Sequence, residues 1–351
     1  MPSTDPVLRL RDVRVGFTLD AGTVRAVDGV SLDLYRGETL GIVGESGSGK
    51  SIAARSIMQL LPRSARIESG SIAFRSGASA EPVDLASLDP RGERIRSIRG
   101  NDIAMIFQEP MTSLSPVHTV GDQVSEMLRT HADVSRRQAR DRAAEMLRLV
   151  EIPRPRDMLD AYPFQLSGGM RQRVMIATAL MCEPAVLIAD EPTTALDVTT
   201  QAQILDLLRR LQDELGMAIL FITHDMGVVA EMAGRVAVMY LGRFVETADV
   251  RTLFAAPRHP YTRALLESIP APGAPRERLR AIRGSVPAAT MRPAGCSFHP
   301  RCDVAVAGRC DVQAPPLVTL PAGHAVECIL ADDAHGGDDP IDSATHPSEV
   351  R

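Results

Sequence analysis

The chain has no tryptophan, only four tyrosines, and a single lysine, Lys50; every other cationic side chain in its 351 residues is arginine apart from eight histidines. The arginine bias reads as GC-rich coding rather than mechanism. No run of 18 apolar residues occurs, so no segment reads as a membrane span. The opening Met-Pro-Ser-Thr-Asp-Pro has neither a basic start nor an apolar core, unlike a signal peptide, which sets the expectation of a cytosolic protein. There is no basic excess either: 44 Asp and Glu against 39 Lys and Arg give a net charge of −5, which offers nucleic acid no general attraction. Cysteine is scarce, with five in all, and a reducing compartment would keep them as thiols unless they hold metal. A hydrophobic content of 44% is ample for a core, and the length suits one large domain plus an extension.

The chain is organised around residues 166–197. Ser167, Gly168 and Gly169 place a hydroxyl and bare backbone N–H groups at the start of a helix expected over Gly169–Met181, an end that favours phosphate. The apolar run Ala185–Ala189 follows as a buried parallel strand and ends in Asp190 and Glu191. In open α/β sheets, ligands bind at such carboxyl ends.

Upstream lies a phosphate cradle. Gly44-Glu45-Ser46-Gly47-Ser48-Gly49-Lys50-Ser51 matches the phosphate-binding loop without a mismatch, between the apolar strand Thr39–Val43 and a helical pattern from Ile52 to Leu61. Its glycines let the backbone wrap a phosphate, Lys50 reaches the β/γ oxygens, and Ser51 holds Mg²⁺ with Asp190 nearby.

Phosphate loop, Leu-Ser-Gly-Gly-Met, Asp190-Glu191 and a later His224, in that order, resemble the ATPase subunit of an ATP-binding cassette (ABC) transporter over roughly residues 7–250. Met170 departs from the commoner Gln. The resemblance implies an α/β fold: a P-loop ABC ATPase core with a RecA-like sheet and an antiparallel β edge, a helical subdomain and a small Cys-rich C-terminal extension. The implied divisions are a nucleotide-binding domain at 1–255 containing a helical subdomain at about 109–168, an extension at 256–330, and a disordered acidic tail at 331–351. It also implies ATP and Mg²⁺ as cofactors, with Glu191 polarising the attacking water. His224 would contact the γ-phosphate, and Gln108 the metal and the water. Asp197 would lie in the loop crossing to a partner cassette. Phe17 stands where the family stacks an aromatic on adenine, although a core role remains open for it.

Read in order, residues 7–17 alternate as an edge strand, and Val24–Leu34 reads as a strand pair turning at Asp28-Gly29. Ile67–Phe74 and residues 101–107 read as strands, the second delivering Gln108. Residues 119–150 are helical, with Ser135 as a cap. Glu109–Pro116 resembles the oligopeptide/dipeptide importer branch, as does Arg258-His259-Pro260-Tyr261-Thr262. A helix at Thr200–Leu215 and a strand at Met217–Thr223 lead to His224.

Cys296, Cys302, Cys310 and Cys328 fall close together near the C-terminus, while Cys182 reads as core. Thiolate ligation of a [4Fe–4S] cluster, which the resemblance to peptide-importer ATPases implies, or of Zn²⁺ is chemically open to them, as is remaining free or paired, with His299 or His324 as a substitute ligand; the spacing lacks the tight C-x2-C pairs common in zinc ribbons. Residues 270–330 have few large apolar side chains, so a metal clasp is expected to hold them. The segment is expected to lie far from the Lys50 loop, so that losing one Cys leaves ATP binding intact.

The expected activity is ATP hydrolysis that energises import, peptide cargo being implied by the resemblance and nickel or another small solute being alternatives. Expected partners are two transmembrane permease subunits, a second ABC ATPase, and indirectly an extracytoplasmic solute-binding protein, with no nucleic acid. The implied location is peripheral, on the cytoplasmic face of the membrane. Against a soluble repair or translation ATPase stand the single cassette and the lack of coiled-coil heptads or a basic stripe; against an exporter stands the lack of fused membrane helices.

Overall fold

The computed structural model describes residues 5–19, 22–77, 80–108, 113–194, 196–269 and 282–333. An antiparallel sheet runs in the order β2 (Gly22–Leu34), β1 (Leu8–Leu19), β4 (Ala65–Phe74), β5 (Val83–Asp84). The main sheet runs β11 (Leu317–Thr319), β12 (Ala325–Glu327), β10 (Arg243–Asp249), β9 (Arg235–Tyr240), β3 (Thr39–Val43), β8 (Ala218–Ile222), β7 (Val186–Asp190), β6 (Ile103–Ile106). From β9 to β6 all neighbours are parallel; from β9 to β11 they are antiparallel. Every residue of β3, β6, β7 and β8 is buried, as parallel strands covered on both faces must be, which explains their unbroken apolar sequences.

One face of the main sheet packs on the antiparallel sheet and the helix Lys50–Ile57. The other packs on a helical group. In that group Thr119 caps Val120–His131, and Ser135 forms a capping box on Arg136–Leu149 with Gln138. Residues 109–112 of the importer-like stretch lie outside the described residues.

Contrary to expectation, β1 is no edge strand: β2 and β4 flank it. Nor does the chain turn at Asp28-Gly29. Gly29, at φ 80°, lies where β1 shifts register against a continuous β2, so the glycine serves a bulge rather than a hairpin. Residues 331–333 belong to a short helix, Ile329–Asp333, because Leu330 and Ala331 bury against Val326 and Cys328; the rest of the expected acidic tail is outside the described residues.

The extension is joined to the core by sheet pairing and by packed aromatic rings. β12 pairs with β10, so the main sheet continues into it. Phe298 sits with its ring centroid 5.3 Å from those of both Tyr240 and Tyr261, and the two tyrosines lie 4.7 Å apart. Each buried aromatic removes about 150–250 Å² from water. A count of aliphatic side chains therefore understates what a few rings at a seam can hold.

Candidate functional site

The phosphate loop leaves β3 at Gly44, whose backbone is at φ 153° and where a Cβ would stand 2.2 Å from the carbonyl oxygen of Met239. Gly49 (φ 105°) is as constrained, a Cβ meeting the Ala26 carbonyl at 2.4 Å. Only glycine fits this tight wrap between strands. The helix Lys50–Ile57 then starts with no side-chain cap, leaving backbone N–H groups for an anion. Lys50 is buried and donates to the carbonyls of Gly44 (2.7 Å) and Glu45 (3.0 Å). Burial lowers its pKa, opposed by the charges of Glu191, Asp190 and Glu45.

Parallel pairing of β3 with β8 and of β8 with β7 brings the carboxyl ends of these strands to the loop. Ser51 donates to Asp190 Oδ1 at 3.0 Å. Asp190 is fully buried and its Oδ2 has no hydrogen-bond partner among the described residues. Burial raises its pKa despite the Ser51 hydrogen bond. A buried, unsatisfied carboxylate oxygen beside a hydroxyl is costly unless a cation meets it, and these hard oxygen donors suit Mg²⁺.

Glu191 is the hub. Gln108 Nε2 donates to its Oε2 at 3.0 Å and the Thr194 hydroxyl at 2.8 Å, while His224 Nδ1 lies 3.2 Å from its Oε1. Burial pushes its pKa up, but the Thr194 and His224 hydrogen bonds and the Lys50 charge outweigh this, so it is held below the usual carboxylate range. The backbone at Glu191 is left-handed, at φ 50°, and its N–H donates to the Ile222 carbonyl on β8 at 2.8 Å. A non-glycine residue held there costs on the order of 1–3 kcal/mol and is maintained by its surroundings.

Other expected residues lie elsewhere. Ser167 caps the helix Gly168–Leu180 by accepting from the Met170 N–H, and it and Gly168 are exposed. Asp197 caps Val198–Leu215 through Thr200 and is also exposed. Among the described residues, no hydrogen bond joins either to the phosphate loop. Phe17 is half-buried on β1, opposite Val24 and Ala65. Ser46 and Gly47 complete the loop, Gly47 at φ 78° with open space around it. The Ser48 hydroxyl is buried without a hydrogen-bond partner among the described residues.

Glu45 is committed in a way the motif does not show. Its carboxylate takes two hydrogen bonds from Arg301, at 2.6 and 2.9 Å, and its N–H donates to the Tyr261 hydroxyl at 2.8 Å. Both partners come from the extension, which is therefore not distant from the Lys50 loop as expected. Thr194 and Arg301 are absent from the motif readings, and Tyr261, although part of the importer-like stretch 258–262, carried no expected link to the phosphate loop. Thr194 is close in sequence, three residues after Glu191, but Tyr261 and Arg301 lie 216 and 256 residues from Glu45, where no local pattern points to them.

Three of the four C-terminal thiols have raised pKa values. Burial chiefly, then neighbouring thiolates, pushes Cys296 up to about 11 and Cys302 up to about 12, and Cys328 is raised as well. The Cys296 N–H donates to the Cys310 carbonyl at 2.8 Å. Among the described residues, however, no three His, Cys, Asp or Glu side chains are already set to hold one metal ion. His324 is turned to Glu246, 2.7 Å away, rather than towards a thiol set.

Phosphate loop, paired acids at the end of β7 and a capped Ser-Gly-Gly helix on a mixed sheet define an ATP-binding cassette. A family described as "ABC transporter" matches residues 27–194, and one described as "Oligopeptide/dipeptide transporter, C-terminal region" matches 245–310. A Brucella melitensis protein, provisionally named a peptide import ATP-binding protein, is 52% identical over 93% of this chain and 98% of its own length. The dipeptide transport ATP-binding protein DppD of Bacillus subtilis is 48% identical over 93% of this chain and 96% of its own. A dimeric ATP-binding cassette solved in a post-hydrolysis state with ADP and phosphate superposes with a TM-score of 0.61 at 29% identity, covering 70% of this chain and 99% of that one. The chain belongs to the ABC transporter ATPases that carry the oligopeptide/dipeptide transporter C-terminal region. It is an ATPase working with ATP and Mg²⁺.

Proposed function

We propose that this ATPase energises the import of peptides across the cytoplasmic membrane as the nucleotide-binding subunit of an ABC importer. The observation that carries the chemistry is the convergence of Gln108, Thr194 and His224 on the Glu191 carboxylate, beside Lys50 and the Ser51–Asp190 pair. Ser51, Asp190 and Gln108 would hold Mg²⁺, which when bound supplies charge neutralisation at the phosphate oxygens. Glu191, ionised at neutral pH, accepts the proton of the attacking water. His224 faces the same position and holds that water by hydrogen bonding, while Lys50 and the uncapped helix start bind phosphate. Phe17 stacks on adenine.

Ser167, Gly168 and Asp197 are exposed, with Gly169 half-buried beside them, which is what a second cassette would need in order to be completed by this one. The dimeric form of the similar cassette supports such a pair. A surface groove near Gln108, lined by Met58, Leu60, Phe107, Leu114 and Met127, supports docking of a permease. This would seat the chain at the cytoplasmic membrane face, as the family implies; no helix among the described residues is long and apolar enough to cross a membrane. The names of the relatives favour peptide as cargo.

Reconstitution with the permeases and binding protein tests this. ATP-driven uptake of a labelled di- or oligopeptide is expected; uptake of Ni²⁺ alone would move the cargo to the alternative, and ATPase activity indifferent to the permeases would refute the transport role. A metal centre at Cys296, Cys302, Cys310 and Cys328 is a further part of the proposal, supported by the Cys296 N–H to Cys310 carbonyl hydrogen bond, which brings two of these residues together. Their soft sulfur donors suit [4Fe–4S] or Zn²⁺. Iron, sulfide and zinc analysis of anaerobically prepared protein decides between these, and finding neither metal removes the centre.

A further inference from the structure

The phosphate loop carries a carboxylate, Glu45, next to the place where a polyanion must bind. In isolation that charge opposes the ligand. Here it is turned onto Arg301, whose guanidinium is almost fully buried and grips both carboxylate oxygens. Arg301 is also held on its other sides. Its Nε donates to the Arg283 carbonyl at 2.8 Å, and its Cζ lies 5.8 and 5.9 Å from the ring centroids of Tyr240 and Phe298. Its own N–H donates to the Phe298 carbonyl at 2.9 Å, within the turn between Cys296 and Cys302. Alongside, the Tyr261 hydroxyl accepts the Glu45 N–H, and Tyr261 itself is packed against Tyr240.

We propose that Arg301, assisted by Tyr261, is a positioning residue for nucleotide binding: it holds the Glu45 carboxylate away from the phosphates and fixes the entry of the loop. The C-terminal extension thereby acts on the ATP site of its own chain. A bidentate arginine–carboxylate pair fixes direction as well as charge, which a lysine at the same place does not reproduce in full. This rests on reading Gly44–Ser51 as the phosphate cradle.

The test is equilibrium binding of a fluorescent ATP analogue to the full chain, with near-UV circular dichroism as a check on folding. Arg301→Ala should weaken binding about tenfold, the pair being partly exposed on the Glu45 side. The same change made in a Glu45→Gln background should cost no more than about twofold, because the charge it controls is gone. A purely structural role for Arg301 would cost the same in both backgrounds, and that result, or no loss in either, overturns the proposal. Should Arg301→Ala fail to fold, Arg301→Lys and Tyr261→Phe keep the packing; each should weaken binding by a few-fold, and unchanged affinity in both overturns it as well. Lys50→Ala separates the two levels: intact affinity there refutes the cradle itself, whereas lost affinity there with indifferent Arg301 variants refutes only this inference.

Discussion

His259 gives the fold a calculable sensitivity to acid. It caps the helix Pro260–Glu267, its Nδ1 accepting the N–H of Tyr261 at 3.0 Å, and it is buried. The cap needs a lone pair on Nδ1, so the ring must stay neutral. Burial lowers its pKa from 6.5 to about 4, the nearby Glu246 charge opposing only in part. As pH falls from 6.5, an unfolded chain takes up a proton on this ring while the folded chain does not, so stability drops continuously until about pH 4. A shift of that size corresponds to about 3 kcal/mol in all. Asparagine can still cap with its side-chain oxygen but does not titrate. His259→Asn should therefore be less stable than the wild type near pH 7, with the gap closing by about 3 kcal/mol as the pH approaches 4. Urea titrations of both proteins at a series of pH values measure this, other titrating groups cancelling in the difference. A gap that stays constant across the range would refute the reasoning.

Two further perturbations address the site and its support. Glu191→Gln should lower ATP turnover of the assembled transporter by about 10²–10⁴-fold while nucleotide still binds, as loss of a general base does; phosphate release near the wild-type rate would remove Glu191 from that role. Phe298→Ala opens the contact with Tyr240 and Tyr261 and should cost about 3–5 kcal/mol, the usual range for a buried phenylalanine. Thermal melts that move by less than a degree would mean that the aromatic seam does not hold the extension.

The candidate phosphate loop was written locally. Gly44 to Ser51 is contiguous, and each of its glycines answers a backbone that passes within van der Waals reach of other main chain or takes a positive φ. The strands were legible for a related reason: β3, β6, β7 and β8 are buried on both faces, and only apolar residues survive there. Where burial is one-sided, local pattern misled. β1 alternates like an edge strand yet is central to its sheet, because alternation records one covered face and says nothing about hydrogen bonding at the two edges.

Tertiary structure alone decided which groups meet. Parallel register of β7 and β8 on β3 brings Asp190 to Ser51 and Glu191 to His224, contacts between residues far apart in the chain. It also decided that the extension reaches the phosphate loop. Nothing near Arg301 in sequence signals Glu45, since their pairing depends on β12 adding to β10 and on Phe298 seating against Tyr240 and Tyr261. A motif specifies the residues that must be adjacent along the backbone. A long-range ion pair depends on where two packed surfaces come to rest, and that is a property of the whole core.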